Sequence, residues 1–244
     1  MDMTLLPRAL TNFSELRRAR DSETLEQAEA LRELCRGLCQ LHGIEVELCG
    51  QLPRRPMVIV ANHLGYIDPL VLCSLLPCSP IAKSEISGWP VIGSVLRQRN
   101  VSFVRRGSAQ SGARVLKRCL GSLRAGVSVL NFPEGTTSRG GLLPFQMGAF
   151  WLARRTGLPI LPVGMDFESL AMCWVGNDAF LPHYSKLLLG KLQGQSCKVR
   201  VAVGEPLDPA CFHSELDLCW ATRGAITRLR RPYPSKAQPL PEEA

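Results

Sequence analysis

The sequence predicts an α/β domain, a largely parallel β-sheet covered by helices. Three observations carry this. Short apolar runs alternate along the chain with longer stretches whose apolar residues recur every three or four positions, the pattern of strands alternating with amphipathic helices. The chain has 244 residues, 45% hydrophobic and 20% charged, enough to bury one sizeable core and unlike a disordered composition. No apolar run reaches the roughly 18 residues of a membrane-spanning helix; the nearest, 69–82, is broken by Pro77 and Pro80.

The elements follow in order. Residues 1–20 show little pattern. From Glu23 to His42, Leu25, Ala28, Leu31, Leu34, Cys35, Leu38 and Leu41 mark one apolar face between Glu and Arg, so this helix is expected to pack on the domain. Ile44–Leu48 and Met57–Ala61 read as strands, 70–76 as a helix, and 81–83 as a short strand. A helix over 91–97, a strand over 101–104, a helix over 109–124 and a strand over 127–132 come next. The helix 146–156 closes on Gly157, a residue suited to the left-handed cap. Strands 158–163 and 198–203 and a helix over 215–229 complete the pattern, and Pro162 in the first of these argues for an edge strand or a bulge. The expected organisation is an N-terminal extension over 1–43, a folded domain over 44–230, and a tail over 231–244 holding four prolines.

The net charge of +8 and pI of about 9.2 favour an anionic partner: lipid, nucleic acid or a phosphorylated substrate. No recognition motif supports the nucleic acid. The ten cysteines form no CxxC and no zinc spacing with histidine, which favours reduced thiols in a cytosolic setting.

Four blocks concentrate functional groups. Asn62–Pro69 reads NHLGYIDP and sets His63 five positions before Asp68. On one helix the two would diverge by roughly 140°; a strand, a turn at Gly65 and a helix start at Pro69 bring them together, with Asp68 at the N-cap. A histidine with a carboxylate partner is a minimal general base, although the pair alone is better read as a capped turn. Phe132–Arg139, FPEGTTSR, follows a strand and offers Glu134, Gly135, Thr136 and further hydroxyls to a phosphate or polyol, or forms an ordinary polar turn. Arg99–Gly107 ends its strand in Arg105 and Arg106, suited to phosphate or to solvent. Leu158–Met165, LPILPVGM, is a buried strand.

These blocks, in this order, resemble the glycerolipid acyltransferase family, which includes the 1-acylglycerol-3-phosphate and lysophospholipid acyltransferases. NHLGYIDP resembles its NHxxxxD block, SFVRR its arginine block with Arg106 in place, FPEGTTSR its FPEGTxS block, and LPILPVG its proline-containing block. The resemblance spans roughly 44–205 and implies a glycerolipid-acyltransferase-like α/β domain. It implies O-acylation of a lysophospholipid, foremost 1-acylglycerol 3-phosphate, from acyl-CoA or acyl-carrier protein, with no metal and no bound cofactor. His63 would be general base and Asp68 its orienting partner. Arg106, Glu134, Gly135 and Thr136 would hold the acceptor, and Lys83 is a candidate oxyanion donor beside backbone amides. The absence of a GxSxG nucleophile elbow agrees with direct transfer.

EGTTS in place of EGTRS leaves the acceptor open: a lyso-ornithine lipid and lysophosphatidylcholine are alternatives, and a catalytically silent lipid-binding protein is a third reading. The expected location is peripheral, on the cytoplasmic face of an anionic membrane. Two stretches suit an interfacial surface: Ile86–Leu96 with Trp89, and Leu142–Arg155 with Phe145, Phe150 and Trp151. For Phe150 and Trp151, core packing is the favoured reading.

Overall fold

The computed structural model describes residues 5–88, 92–138, 141–168 and 196–231. Among the described residues seven strands form one sheet: β1 (Ile44–Cys49), β2 (Val58–Ala61), β3 (Cys78–Lys83), β4 (Ser102–Val104), β5 (Ser128–Asn131), β6 (Ile160–Phe167) and β7 (Cys197–Val203). Their spatial order is β1-β7-β6-β2-β5-β3-β4. All neighbours are parallel except β6 and β7. The sheet is thus mostly parallel, with β7 and β1 reversed as a pair. The helices are α1 (Leu5–Leu41), α2 (Ile67–Leu75), α3 (Ile92–Arg97), α4 (Ala109–Arg124), α5 (Gly148–Thr156) and α6 (Glu215–Leu229).

Successive strand residues point to opposite faces, and β2 is apolar throughout because both faces are covered. Ile59 and Ala61 join a core with Leu31 and Cys35 of α1 and Val71 and Leu72 of α2. Val58 and Val60 join a second core with Val115 and Cys119 of α4, Phe150 of α5 and Leu218 of α6. The result is a three-layer sandwich with α1 and α2 on one side and α4, α5 and α6 on the other.

This layering locates a crevice. The crossover through α2 leaves β2 and reaches β3, whereas the crossover through α5 leaves neighbouring β5 and reaches β6 on the far side of β2. The two helices lie on opposite faces, so the chain diverges beyond the carboxyl ends of β2 and β5, the position where open α/β sheets bind ligands.

Several elements differ from the sequence expectation. The first helix begins at Leu5 and takes in the featureless residues up to 20. The second begins at Ile67, which makes Asp68 its second residue rather than its N-cap. β3 starts at Cys78, α5 at Gly148, and β6 continues to Phe167.

Pro162 lies in an interior strand, with β2 on one side and β7 on the other. It is accommodated where the β6–β7 register shifts by one residue, between the Val163–Val203 pair and the Ile160–Leu207 bridge. Beside it Gly204 N–H donates to the Pro162 carbonyl, and no donor is required of the proline nitrogen. The bulge is there; the edge is not.

Gly164 of β6 supports the end of α6. A Cβ at this position would lie 2.8 Å from Leu229 Cβ, so only glycine lets the helix terminus rest on the strand. Phe150 is fully buried as expected, but Trp151 is 37% exposed: α5 turns Ala149, Phe150, Leu152 and Ala153 inward, which leaves position 151 outside. Trp89, Arg139 and residues 232–244 lie outside the described residues. No helix among the described residues is long and apolar enough to cross a membrane.

Candidate active site

The β2 strand delivers Asn62 and His63 into the crevice. Asn62 is buried and clamps β6: its Nδ2 donates to the Met165 carbonyl at 3.0 Å, and Met165 N–H donates to its Oδ1 at 2.7 Å. The side chain thereby imitates a neighbouring strand where β2 itself has ended.

His63 is fixed at four points. Its Nδ1 lies 2.7 Å from Asp68 Oδ2. Its N–H donates to Glu134 Oε1 at 2.9 Å, and its carbonyl accepts from Ser138 N–H at 2.9 Å. Its ring stacks on Phe132 with centroids 4.3 Å apart. The imidazole is 19% exposed and Asp68 is fully buried. With Nδ1 committed to the carboxylate, Nε2 is the ring nitrogen left for chemistry, in the acceptor state that a general base requires.

Asp68 concentrates its bonds on one oxygen. Oδ2 also accepts the N–H groups of Leu64 and Gly65, at 2.5 and 2.9 Å. The helix position of Asp68 turns its carboxylate back over the turn it has just left, closing His63–Asp68 into one unit. Oδ1 is buried and has no hydrogen-bond partner among the described residues.

Glu134 comes from the turn after β5, where Gly135, at φ +68°, donates its N–H to the Phe132 carbonyl at 3.1 Å. This carboxylate was expected to face an acceptor; both its oxygens face protein instead. Oε1 takes the His63 amide, while Oε2 takes Leu143 N–H at 2.8 Å and the Ser138 hydroxyl at 3.4 Å. Burial raises its pKa, and the two amides, His63 and Arg230 oppose that rise. Arg223 of α6 holds the same covering loop through the Leu142 and Leu143 carbonyls and stacks on Phe145. The loop over Glu134 is thus strapped from below and from the side.

Glu134→Gln is expected to cost about 1–3 kcal/mol, because an amide cannot accept from both N–H groups. Urea denaturation measures the cost, and kcat/KM should fall with it as His63 loses its anchor. Because the folded pKa is raised, protonation of Glu134 favours folding, a contribution that is full at low pH and is lost as pH rises through the raised value. The stability difference from Glu134→Gln should shift in that direction between acid and neutral pH.

The remaining candidates line the same edge of the sheet. Lys83 ends β3, and Arg105 and Arg106 follow β4. Strand order puts β5 and β3 between β2 and β4, so Arg106 leaves the sheet roughly 14 Å from the His63 strand at about 4.8 Å per strand. Arg106 is exposed, and its charge helps to lower the pKa of Glu85 after a backbone hydrogen bond, the Ser84 hydroxyl and the charge of Lys83. Thr136 is exposed at the rim. His63, Asp68 and Glu134 meet directly, whereas Lys83, Arg106 and Thr136 flank them.

The sequence reading missed a buried charge cluster beside the site. Asp166, next to the clamped Met165, lies 3.5 Å from both Arg200 and Arg230 and accepts Arg231 N–H at 3.0 Å. The one signal was an aspartate in an otherwise apolar strand.

Comparison with known proteins bears on this site. Residues 43–166 match the acyltransferase family model. The chain is 31% identical over 176 residues to a lyso-ornithine lipid O-acyltransferase of Pseudomonas aeruginosa, covering 70% of this chain and 66% of that protein. It is 33% identical over 141 residues to a 1-acyl-sn-glycerol-3-phosphate acyltransferase of Neisseria meningitidis, covering 57% of this chain and 55% of that one. The chain therefore spans less than two thirds of the length of either relative. The crystal structure of the 1-acyl-sn-glycerophosphate acyltransferase of Thermotoga maritima is similar, with a TM-score of 0.60 at 25% identity over 82% of this chain and 77% of that one.

Proposed function

Because this chain belongs to the acyltransferase family, we propose that it is a lysophospholipid O-acyltransferase that moves an acyl chain from a thioester to a lysolipid hydroxyl. The observation that carries this reading is the 2.7 Å contact between His63 Nδ1 and a fully buried Asp68 at the sheet's switch point. His63 Nε2 takes the acceptor's hydroxyl proton as its oxygen attacks the thioester carbonyl. The tetrahedral oxyanion collapses, the carbon–sulfur bond breaks, and the sulfur leaves as a thiol with the proton returned by His63. Asp68 holds the ring in the base tautomer and stabilises it once protonated. Glu134 acts as a positioning residue through the His63 amide, with Gly135 and Thr136 shaping the rim. Lys83 and Arg106 supply positive charge to the acceptor headgroup.

1-Acylglycerol 3-phosphate is the foremost acceptor, supported by the arginines at the β4 end and by the Neisseria and Thermotoga likenesses. A lyso-ornithine lipid is the second reading, favoured by the longer match to the Pseudomonas relative. A panel of lysolipids supplied with labelled hexadecanoyl-CoA or hexadecanoyl carrier protein separates them by the product formed. Acylation of none would overturn the enzymatic reading. With a phosphorylated acceptor, Arg106→Ala should raise the KM by roughly tenfold, the scale of one charge-assisted hydrogen-bonded pair, and should leave a neutral acceptor unaffected.

A further inference from the structure

Phe132 follows Asn131 of β5, which pairs with Val60 of β2, so Phe132 and His63 leave neighbouring strands side by side. The phenyl ring lies over the imidazole, with centroids 4.3 Å apart and planes inclined by 21°. Phe132 is only 9% exposed, so it acts on a substrate through His63 rather than by contact. Its backbone is fixed independently of the ring. The Phe132 carbonyl accepts Gly135 N–H, and the next carbonyl, of Pro133, accepts Gln146 N–H.

An aliphatic side chain would satisfy the core at this place. Two positions earlier on the same face of the sheet, Leu130 does so in the same cluster. What a phenyl ring adds is its charge distribution. The face of an aromatic ring is negative, and a cation within about 6 Å of its centroid is attracted to it. A neutral imidazole gains less from that field than an imidazolium does. When His63 Nε2 takes the proton of the acceptor hydroxyl, positive charge therefore develops against the phenyl face. An interaction that strengthens as the charge develops accelerates the step. Two carboxylates also face this residue: Asp68 of α2, at the ring edge, and Glu134 of the turn after β5, which accepts backbone amides. Phe132 covers the ring's face, a direction that neither of these bonds serves.

We propose that Phe132 is a positioning residue for the general base, whose ring face steadies the His63 imidazole and stabilises the positive charge it acquires during proton transfer. The inference rests on the acyl-transfer function proposed above and adds a residue to its machinery.

The test replaces Phe132 with mono-, di- and trifluorinated phenylalanine, which nearly preserve the shape while weakening the negative face step by step. Phe132→Leu and Phe132→Tyr accompany them. Transfer of a labelled hexadecanoyl group, from whichever thioester the wild type accepts, is followed in single turnover so that product release does not mask the proton step. The rate constant should fall in steps with fluorination, by roughly three- to tenfold at the trifluorinated ring, and at least as far in Phe132→Leu. Phe132→Tyr should restore most of it. Half-saturating concentrations of both substrates should stay within about twofold. The acid limb of the pH–rate profile should move to lower pH as the plateau falls, because a base less able to carry charge stays unprotonated further into acid. Equal rates across the fluorinated series would overturn the proposal even if Phe132→Leu is slow, since the ring would then only pack. A rise in half-saturating concentration in place of a rate loss would overturn it as well. Should wild type acylate no lysolipid, the enzymatic reading fails instead. Nuclear magnetic resonance titration of the His63 ring then judges the stack alone: a midpoint at lower pH with the trifluorinated ring supports it, and an unchanged midpoint overturns it.

Discussion

His63→Ala is expected to lower acyl transfer by roughly 10²–10⁴-fold, the range a positioned general base contributes, with little change in acceptor binding. The reason is local. The ring is held by Asp68 and by Phe132, while the backbone at 63 is held separately by Glu134 and Ser138. Removing the imidazole therefore subtracts the base and spares the turn. Asp68→Asn is the sharper companion. All three donors to the carboxylate converge on Oδ2, so an asparagine oxygen in that place can keep the geometry. What it removes is the charge facing the protonated ring. A loss of roughly 10²-fold or more in kcat in a variant that remains folded would assign Asp68 to imidazolium stabilisation. Wild-type turnover by Asp68→Asn would reduce it to a brace for the turn. Product formation from a labelled lysolipid provides the measurement.

Asp166→Ala is expected to produce the largest loss of stability, about 3–5 kcal/mol, because it removes the carboxylate that Arg200 and Arg230 face and the acceptor of Arg231 N–H. Arg230 is only 8% exposed and Arg200 only 20%, so water hydrates neither guanidinium fully. For a domain of this size the loss corresponds to a fall of roughly 6–20 °C in melting temperature, readable by calorimetry. The site should suffer in step. Asp166 follows the residue that Asn62 clamps, and Arg230 is among the charges acting on Glu134. A shift below about 2 °C would show that solvent already screens the cluster.

Much of this was legible in the sequence because local signals decided it. Ser108 caps α4 by accepting Ser111 N–H, Gly157 closes α5 in the left-handed conformation, and Ser214 caps α6 by accepting Asp217 N–H; each boundary follows from one residue's own chemistry. The alternation of strand and helix gave the layers. Three features were not legible, because each depends on a partner distant in sequence. The reversed β7–β1 pair is set by which strand β7 lies beside, and alternation does not encode that. Pro162 is interior only because its neighbour shifts register beside it. Glu134 faces inward because the amides of His63 and Leu143 lie within its reach, and nothing in FPEGTTSR reveals them. The sequence therefore brought His63 and Asp68 together through five-residue spacing, but could not distinguish a ligand-binding carboxylate from a bracing one.

The pairing of β1 with β7 also bears on how the chain folds. Among the described residues β1 has β7 as its one neighbour in the sheet, and its partner residues lie about 150 positions later, from Ile44 opposite Cys197 to Cys49 opposite Ala202. During synthesis β1 emerges early and waits with an unpaired edge until nearly all the strands have formed. The central parallel strands assemble from nearer contacts, whereas sealing the sheet requires closure of a very long loop, the kind of contact that slows folding and exposes intermediates to aggregation. Helix α1, which leads into β1 and already packs on α2, tethers that strand beside the nascent sheet and shortens its search.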